Sequence, residues 1–261
     1  MPKIRSIETI DQYVIENTSG KKILFTVIGE IHDQHTDCRA VQVNVSDVAE
    51  ERLRNKNVLL MLEFAPGLDR NLISRLGSTI FKDIYATNSY PVANEKAFGI
   101  DIRTIIIGRS NQSALYNQDS FDILKTMIHT NRELYFKTFL ESVWQSDLLK
   151  KISSTNCREN IMIQNCYNLL FELYGKVFGL LQTCRTDIEC VELFNQTRYL
   201  WGCVMDLNIL YYTLCKGYGY DEFFVVVGLK HSENIREILS RTVPSGNRQH
   251  LSGCVDTDDL W

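Results

Sequence analysis

Two histidines and two glutamates stand where strongly apolar runs end, a placement suited to holding a divalent metal or to moving a proton. Ile23-Leu24-Phe25-Thr26-Val27-Ile28 runs into Gly29-Glu30-Ile31-His32, and Phe223-Phe224-Val225-Val226-Val227 runs into Gly228-Leu229-Lys230-His231. A third run, Val58-Leu59-Leu60-Met61-Leu62, ends in Glu63, and a fourth, Ala97-Phe98-Gly99-Ile100, leads into Asp101-Ile102-Arg103. Imidazole and carboxylate together bind a divalent ion that activates water. The same groups can serve as acid and base while a guanidinium meets an oxyanion.

Each residue also has a plainer use. Glu30 and His32 suit the cap of a following turn. Glu63 precedes Phe64-Ala65-Pro66-Gly67, a chain break. Asp101 and Arg103 are spaced to pair with each other, and His231 could cap a helix over Ser232 to Ser240. The coincidence of polar groups at four strand ends carries the functional reading. His35 shares a face with His32 if Asp33-Gln34-His35-Thr36-Asp37 opens a helix, and lies in a solvated loop otherwise. Asp206 interrupts an apolar helix and needs either a salt bridge or a polar cleft, which makes it a weaker site candidate. His129 and His250 have no partner at ligand spacing and read as surface residues.

The elements that must position these groups are strands and crossover helices. Strands are expected over Lys22 to Ile28, Asn57 to Glu63, Ala97 to Ile102 with a continuation towards Ile107, and Glu222 to Val227. Continuous apolar runs, rather than alternation, argue for a mainly parallel sheet covered on both faces. Ser46 to Leu53 reads as a capped helix, and Leu68 to Tyr85 as a second helical connection. From 119 to 217 the apolar residues recur at helical spacing, so a large helical insertion is expected within a single α/β domain spanning 1–261. Its last helix runs from Arg198 to Lys216, and the tail from Pro244 reads as loose or ordered only by docking.

Composition narrows the function classes. The 261 residues carry a net charge of -4 with no basic stripe, so nucleic acid is not an expected partner. No signal peptide and no apolar stretch of membrane-spanning length is read, so a cytoplasmic location without membrane contact is expected. None of the 8 cysteines forms Cys-x-x-Cys, and free thiols are the simpler reading. Gly-x-Ser-x-Gly, phosphate-loop, dinucleotide and His-Glu-x-x-His signatures are all absent.

In their order, Gly29-Glu30-Ile31-His32, Leu62-Glu63, Asp101-Ile102-Arg103 and Gly228-Leu229-Lys230-His231 resemble the Tiki/TraB superfamily, with its erythromycin-esterase-like (EreA) and ChaN-like branches. Met205-Asp206-Leu207 and Asp101-Ile102-Arg103 also look like proteins of large DNA viruses, which would place the chain in a virion or host cytoplasm. The resemblance implies an EreA/ChaN-like α/β fold and a metal-dependent hydrolase of peptidase or esterase type. His32 and His231 would be catalytic imidazoles or, with Glu63, ligands of a divalent ion, Mn, Co or Zn. Glu30 and Glu63 would supply ligand or base, and Arg103 would meet developing negative charge, with Arg70 competing for that role. The substrate would be a small molecule or peptide, and the helical insertion could form a homo-oligomer. The alternative is a catalytically inactive Tiki/TraB-like fold that binds a ligand or protein, as a viral structural or host-interaction protein would.

Overall fold

The computed structural model describes residues 3–5, 7–30, 50, 53–54, 57–66, 96–117, 120–217, 219–243, 247–250 and 254–256. They fall into two compact units, residues 1–100 with 212–261, and residues 101–211.

The first unit is built on a sheet. Its strands are β1 (Lys3–Arg5), β2 (Ile7–Glu16), β3 (Lys22–Glu30), β4 (Val58–Leu62), β5 (Ala97–Gly99), β6 (Glu222–Gly228), β7 (Asn247–His250) and β8 (Cys254–Asp256). Six of them form a mixed sheet in the order β5-β4-β6-β3-β2-β7, and β1 pairs separately with β8. β3, β6, β4 and β5 run parallel, whereas β2 is antiparallel to both β3 and β7. The parallel strands are the four expected from their unbroken apolar runs. Phe25, Val27, Leu60, Met61, Phe223 and Val225 are buried, as strands covered on both faces require.

β2 was not expected, because Thr9, Asp11 and Gln12 break its apolar character. The chain that follows it forces the pairing. Asn17 Oδ1 accepts from the Ser19 N–H, the Ser19 hydroxyl and the Lys21 N–H. Gly20 takes φ +82, which glycine adopts without a Cβ penalty. That turn returns the chain directly alongside β2, with Ile15 opposite Ile23. The tail from Pro244, expected to be loose or ordered only by docking, supplies β7 and β8, which dock onto β2 and β1.

The third expected strand is cut short. β5 ends at Gly99, and the β-branched run Thr104-Ile105-Ile106-Ile107 lies in helix α1 (Arg103–Ile107) rather than in a longer strand. Asp101 Oδ1 accepts from the Arg103 N–H at 3.1 Å, turning the backbone at that point. The expected helices at Ser46–Leu53 and Leu68–Tyr85 lie largely or wholly outside the described residues.

The second unit is helical. After α1 come α2 (Arg109–Tyr116), α3 (Phe121–Thr130), α4 (Arg132–Phe136), α5 (Ser142–Gln145), α6 (Asp147–Ser153), α7 (Ile161–Thr183) and α8 (Asp187–Tyr211). A π-helical segment, Lys137–Glu141, joins α4 to α5. Asn160 caps α7, its Oδ1 accepting from the Met162 and Ile163 N–H groups. α7 and α8 pack as a helical hairpin around Cys166, Leu170, Val177, Leu193 and Leu200. Trp201 is fully buried and donates its indole N–H to the Phe139 carbonyl at 3.1 Å. The π-helical turn Tyr212–Lys216 belongs to the sheet unit. Among the described residues, no helix is long and apolar enough to cross a membrane.

Candidate functional site

β6 passes without a loop into helix α9 (Leu229–Ser240), which packs on β2, β3 and β6. Gly228 is the residue before the helix, and its N–H donates to Glu63 Oε2 at 2.8 Å. The Glu63 N–H in turn donates to the Val226 carbonyl at 3.3 Å. Glu63 therefore leaves β4 anchored at both backbone and side chain beside the amino end of α9, where helix amides attract negative charge.

His231 stands in the first turn of α9, and its Nε2 lies 3.6 Å from Glu63 Oε1. Both side chains are mostly shielded, at 11% and 12% exposure, so the pair is screened less than a surface ion pair would be. Glu30 ends the neighbouring strand, buried at 2%, with Gly228 as its cross-strand partner. The parallel register thus puts Glu30, Glu63 and His231 at the carboxyl ends of adjacent strands, the usual location of sites in such sheets.

The first glycine of the motif has a steric cause. A Cβ at Gly29 would lie 2.3 Å from Ser232 Oγ and 2.4 Å from Thr9 Oγ1. Those hydroxyls are bonded to each other at 3.0 Å, joining β2 to α9 directly over Gly29. The glycine lets the first turn of α9, which carries His231, approach β3 closely.

Asp101 and Arg103 belong to the helical unit, where they engage each other. Arg103 Nε donates to Asp101 Oδ1 at 2.7 Å and Nη2 to Oδ2 at 2.9 Å, both side chains being buried. Gln112 Nε2 donates to Asp101 Oδ2 at 3.0 Å, and Arg103 Nη1 to the Tyr116 hydroxyl at 3.0 Å. This is the structural pairing that their spacing allowed. Asp206 is wholly buried in α8. Its charge adds to the pressure on the Cys166 thiol, which the Cys203 thiol and burial push well above the usual range. His32, His35 and Arg70 lie outside the described residues. His129 is exposed, with Nε2 4.0 Å from Cys190 Sγ. The free thiols of the helical unit are Cys166, Cys184, Cys190 and Cys203, whereas Cys157 is disulfide-bonded, contrary to the free-thiol expectation.

No family model, curated protein or solved structure matches the chain.

For a divalent ion, Glu63 and His231 are suitable oxygen and nitrogen donors, close enough to share one ion. Among the described residues no group of three His, Cys, Asp or Glu side chains converges as a metal site. The polar groups that sequence reasoning missed are on β2. Thr9, Asp11 and Tyr13 are buried on the strand that α9 covers. Burial raises the Tyr13 phenol well above its usual range, with Asp11 adding and Arg236 of α9 opposing. Thr9 and Asp11 stand among Ile10, Tyr13, Val14 and Ile15 without a strict alternation of apolar and polar residues, so periodicity offered no signal for them.

Proposed function

We propose that the sheet unit is a hydrolase whose reactive groups are Glu63 and His231, acting on a small-molecule or peptide substrate. The observation that supports this is the 3.6 Å approach of His231 Nε2 to Glu63 Oε1 at the carboxyl edge of the parallel strands. In this reading Glu63 holds the imidazole in orientation, and His231 takes a proton from attacking water and returns it to the leaving group. Glu30 adds negative charge at the same edge and serves as ligand or second base. The fold is read as the EreA/ChaN-like form of the Tiki/TraB arrangement. In the alternative, metal-dependent form of this reading, a divalent ion, Mn, Co or Zn, would have His231, Glu63 and His32 as its donors and would lower the pKa of a water, and Glu30 in place of His231 would take the proton.

The test is the metal content of the chain purified without chelator or affinity histidines, together with esterase and peptidase turnover. Both are measured beside a His32→Ala, His231→Ala double variant. Turnover that disappears in the variant, with or without loss of an ion, agrees with the proposal. Turnover retained in the variant overturns it.

One observation favours a second reading, a catalytically inactive fold that binds a ligand or protein. The guanidinium of Arg103, which the family pattern would direct to an oxyanion, is gripped by Asp101 through two hydrogen bonds.

A further inference from the structure

The helical unit carries an open surface pocket of about 340 Å³ between the end of α6, the 3₁₀ turn Asn156–Glu159 and the first turns of α7. That volume lies in the range of small-molecule sites, roughly 300–1,000 Å³. Ile152 and Ile163 make a buried apolar floor. Tyr167 forms a wall, its ring held against Trp144 with centroids 5.9 Å apart. The polar lining groups are Ser153, Gln164, Asn168 and Arg158.

Arg158 is the one charged residue of this lining, and among the described residues its guanidinium makes no ion pair with a carboxylate. Gln164 Nε2 donates to the Arg158 carbonyl at 3.0 Å, fixing the backbone that carries the guanidinium. The pocket also lies at the amino end of α7, a 23-residue helix whose dipole favours negative charge there. An apolar floor, an aromatic wall and a single cation define a ligand of matching form.

We propose that this pocket binds an aromatic monocarboxylate, its carboxylate on Arg158 and its ring between Tyr167 and the two isoleucines. The site is independent of the Glu63–His231 pair and rests on no part of the hydrolase reading. One guanidinium neutralises one charge, and it presents paired N–H donors matched to a carboxylate.

The experiment is an NMR titration of the full chain with benzoate, and with benzyl alcohol as a neutral probe of the same shape. Wild type is compared with Arg158→Ala, an exposed position whose replacement leaves the core intact. Saturable benzoate binding is expected, weakened roughly tenfold or more in Arg158→Ala, with benzyl alcohol weaker by a similar factor. A Tyr167→Ala variant should also bind benzoate more weakly. No saturable binding of benzoate to wild type, or equal affinity in wild type and Arg158→Ala, overturns the proposal.

Discussion

His231 meets Glu63 across two adjacent parallel strands, Nε2 to Oε1 at 3.6 Å, although 168 positions separate them in the numbering. The contact exists because β6 lies directly beside β4 and turns into α9 without a loop, so the first helical turn overhangs the end of β4. The Gly228 N–H bond to Glu63 Oε2 fixes the carboxylate independently of the histidine.

That double anchoring separates charge from structure. Glu63→Gln keeps an oxygen to accept from Gly228 but removes the negative charge facing His231. It should leave the thermal midpoint near that of wild type and lower turnover by about 100-fold or more, because the His231 imidazole that moves the proton loses the charge that orients it. Steady-state rates on the substrate found in the screen, with thermal melts alongside, make the measurement. Wild-type turnover in Glu63→Gln would end the acid–base reading.

Gly29→Ala should destabilise the sheet unit by about 1–3 kcal/mol, the range for a forced overlap in a packed interior. The added methyl meets Ser232 Oγ and Thr9 Oγ1 at distances no carbon tolerates. Combining it with Thr9→Ala and Ser232→Ala removes both hydroxyls and should restore part of the loss. Urea unfolding of the three proteins measures this, and a triple variant no more stable than Gly29→Ala would show that the overlap is not the cause.

Asp101→Ala leaves the buried Arg103 guanidinium without its bidentate partner. The expected cost is about 3–5 kcal/mol, the range for removing one partner of a buried ion pair. Removing both charges in Asp101→Leu, Arg103→Met should cost less than Asp101→Ala alone. Chemical denaturation of the single and double variants decides, and a double variant less stable than the single would contradict the argument.

Burial, and then the neighbouring Cys184 thiol, pushes the Cys190 thiol from 9.0 up to about 12. The folded chain therefore holds this proton more tightly than the unfolded chain does. The associated stability is fully present below pH 9 and is lost as pH rises towards 12. Wild type should lose more stability across that window than Cys190→Ser, as followed by alkaline denaturation curves. At neutral pH, Cys190 in the folded protein should also react with iodoacetamide far more slowly than a free thiol, since the thiolate is the nucleophile.

The chain by itself determined the parallel strands β3, β4 and β6, since unbroken runs such as Phe223 to Val227 leave no face for water. It also placed Glu30, Glu63 and His231 at strand ends, because apolar character stops abruptly at each of them. The helical character after residue 119 was equally plain from its spacing. Only the tertiary structure decided which of these groups meet. Strand order is set by long-range pairing, and the neighbourhood of β4 and β6 brings Glu63 to His231. The same holds for β2, whose Thr9, Asp11 and Gln12 interrupt the apolar pattern, and which the Asn17–Gly20 turn and pairing with β3 make a strand. It holds again at Thr104-Ile105-Ile106-Ile107, where β-branched residues prefer a strand but lie in a helix. There the Asp101–Arg103 interaction ends the extended chain, and local propensities of a few tenths of a kcal/mol yield to the tertiary context.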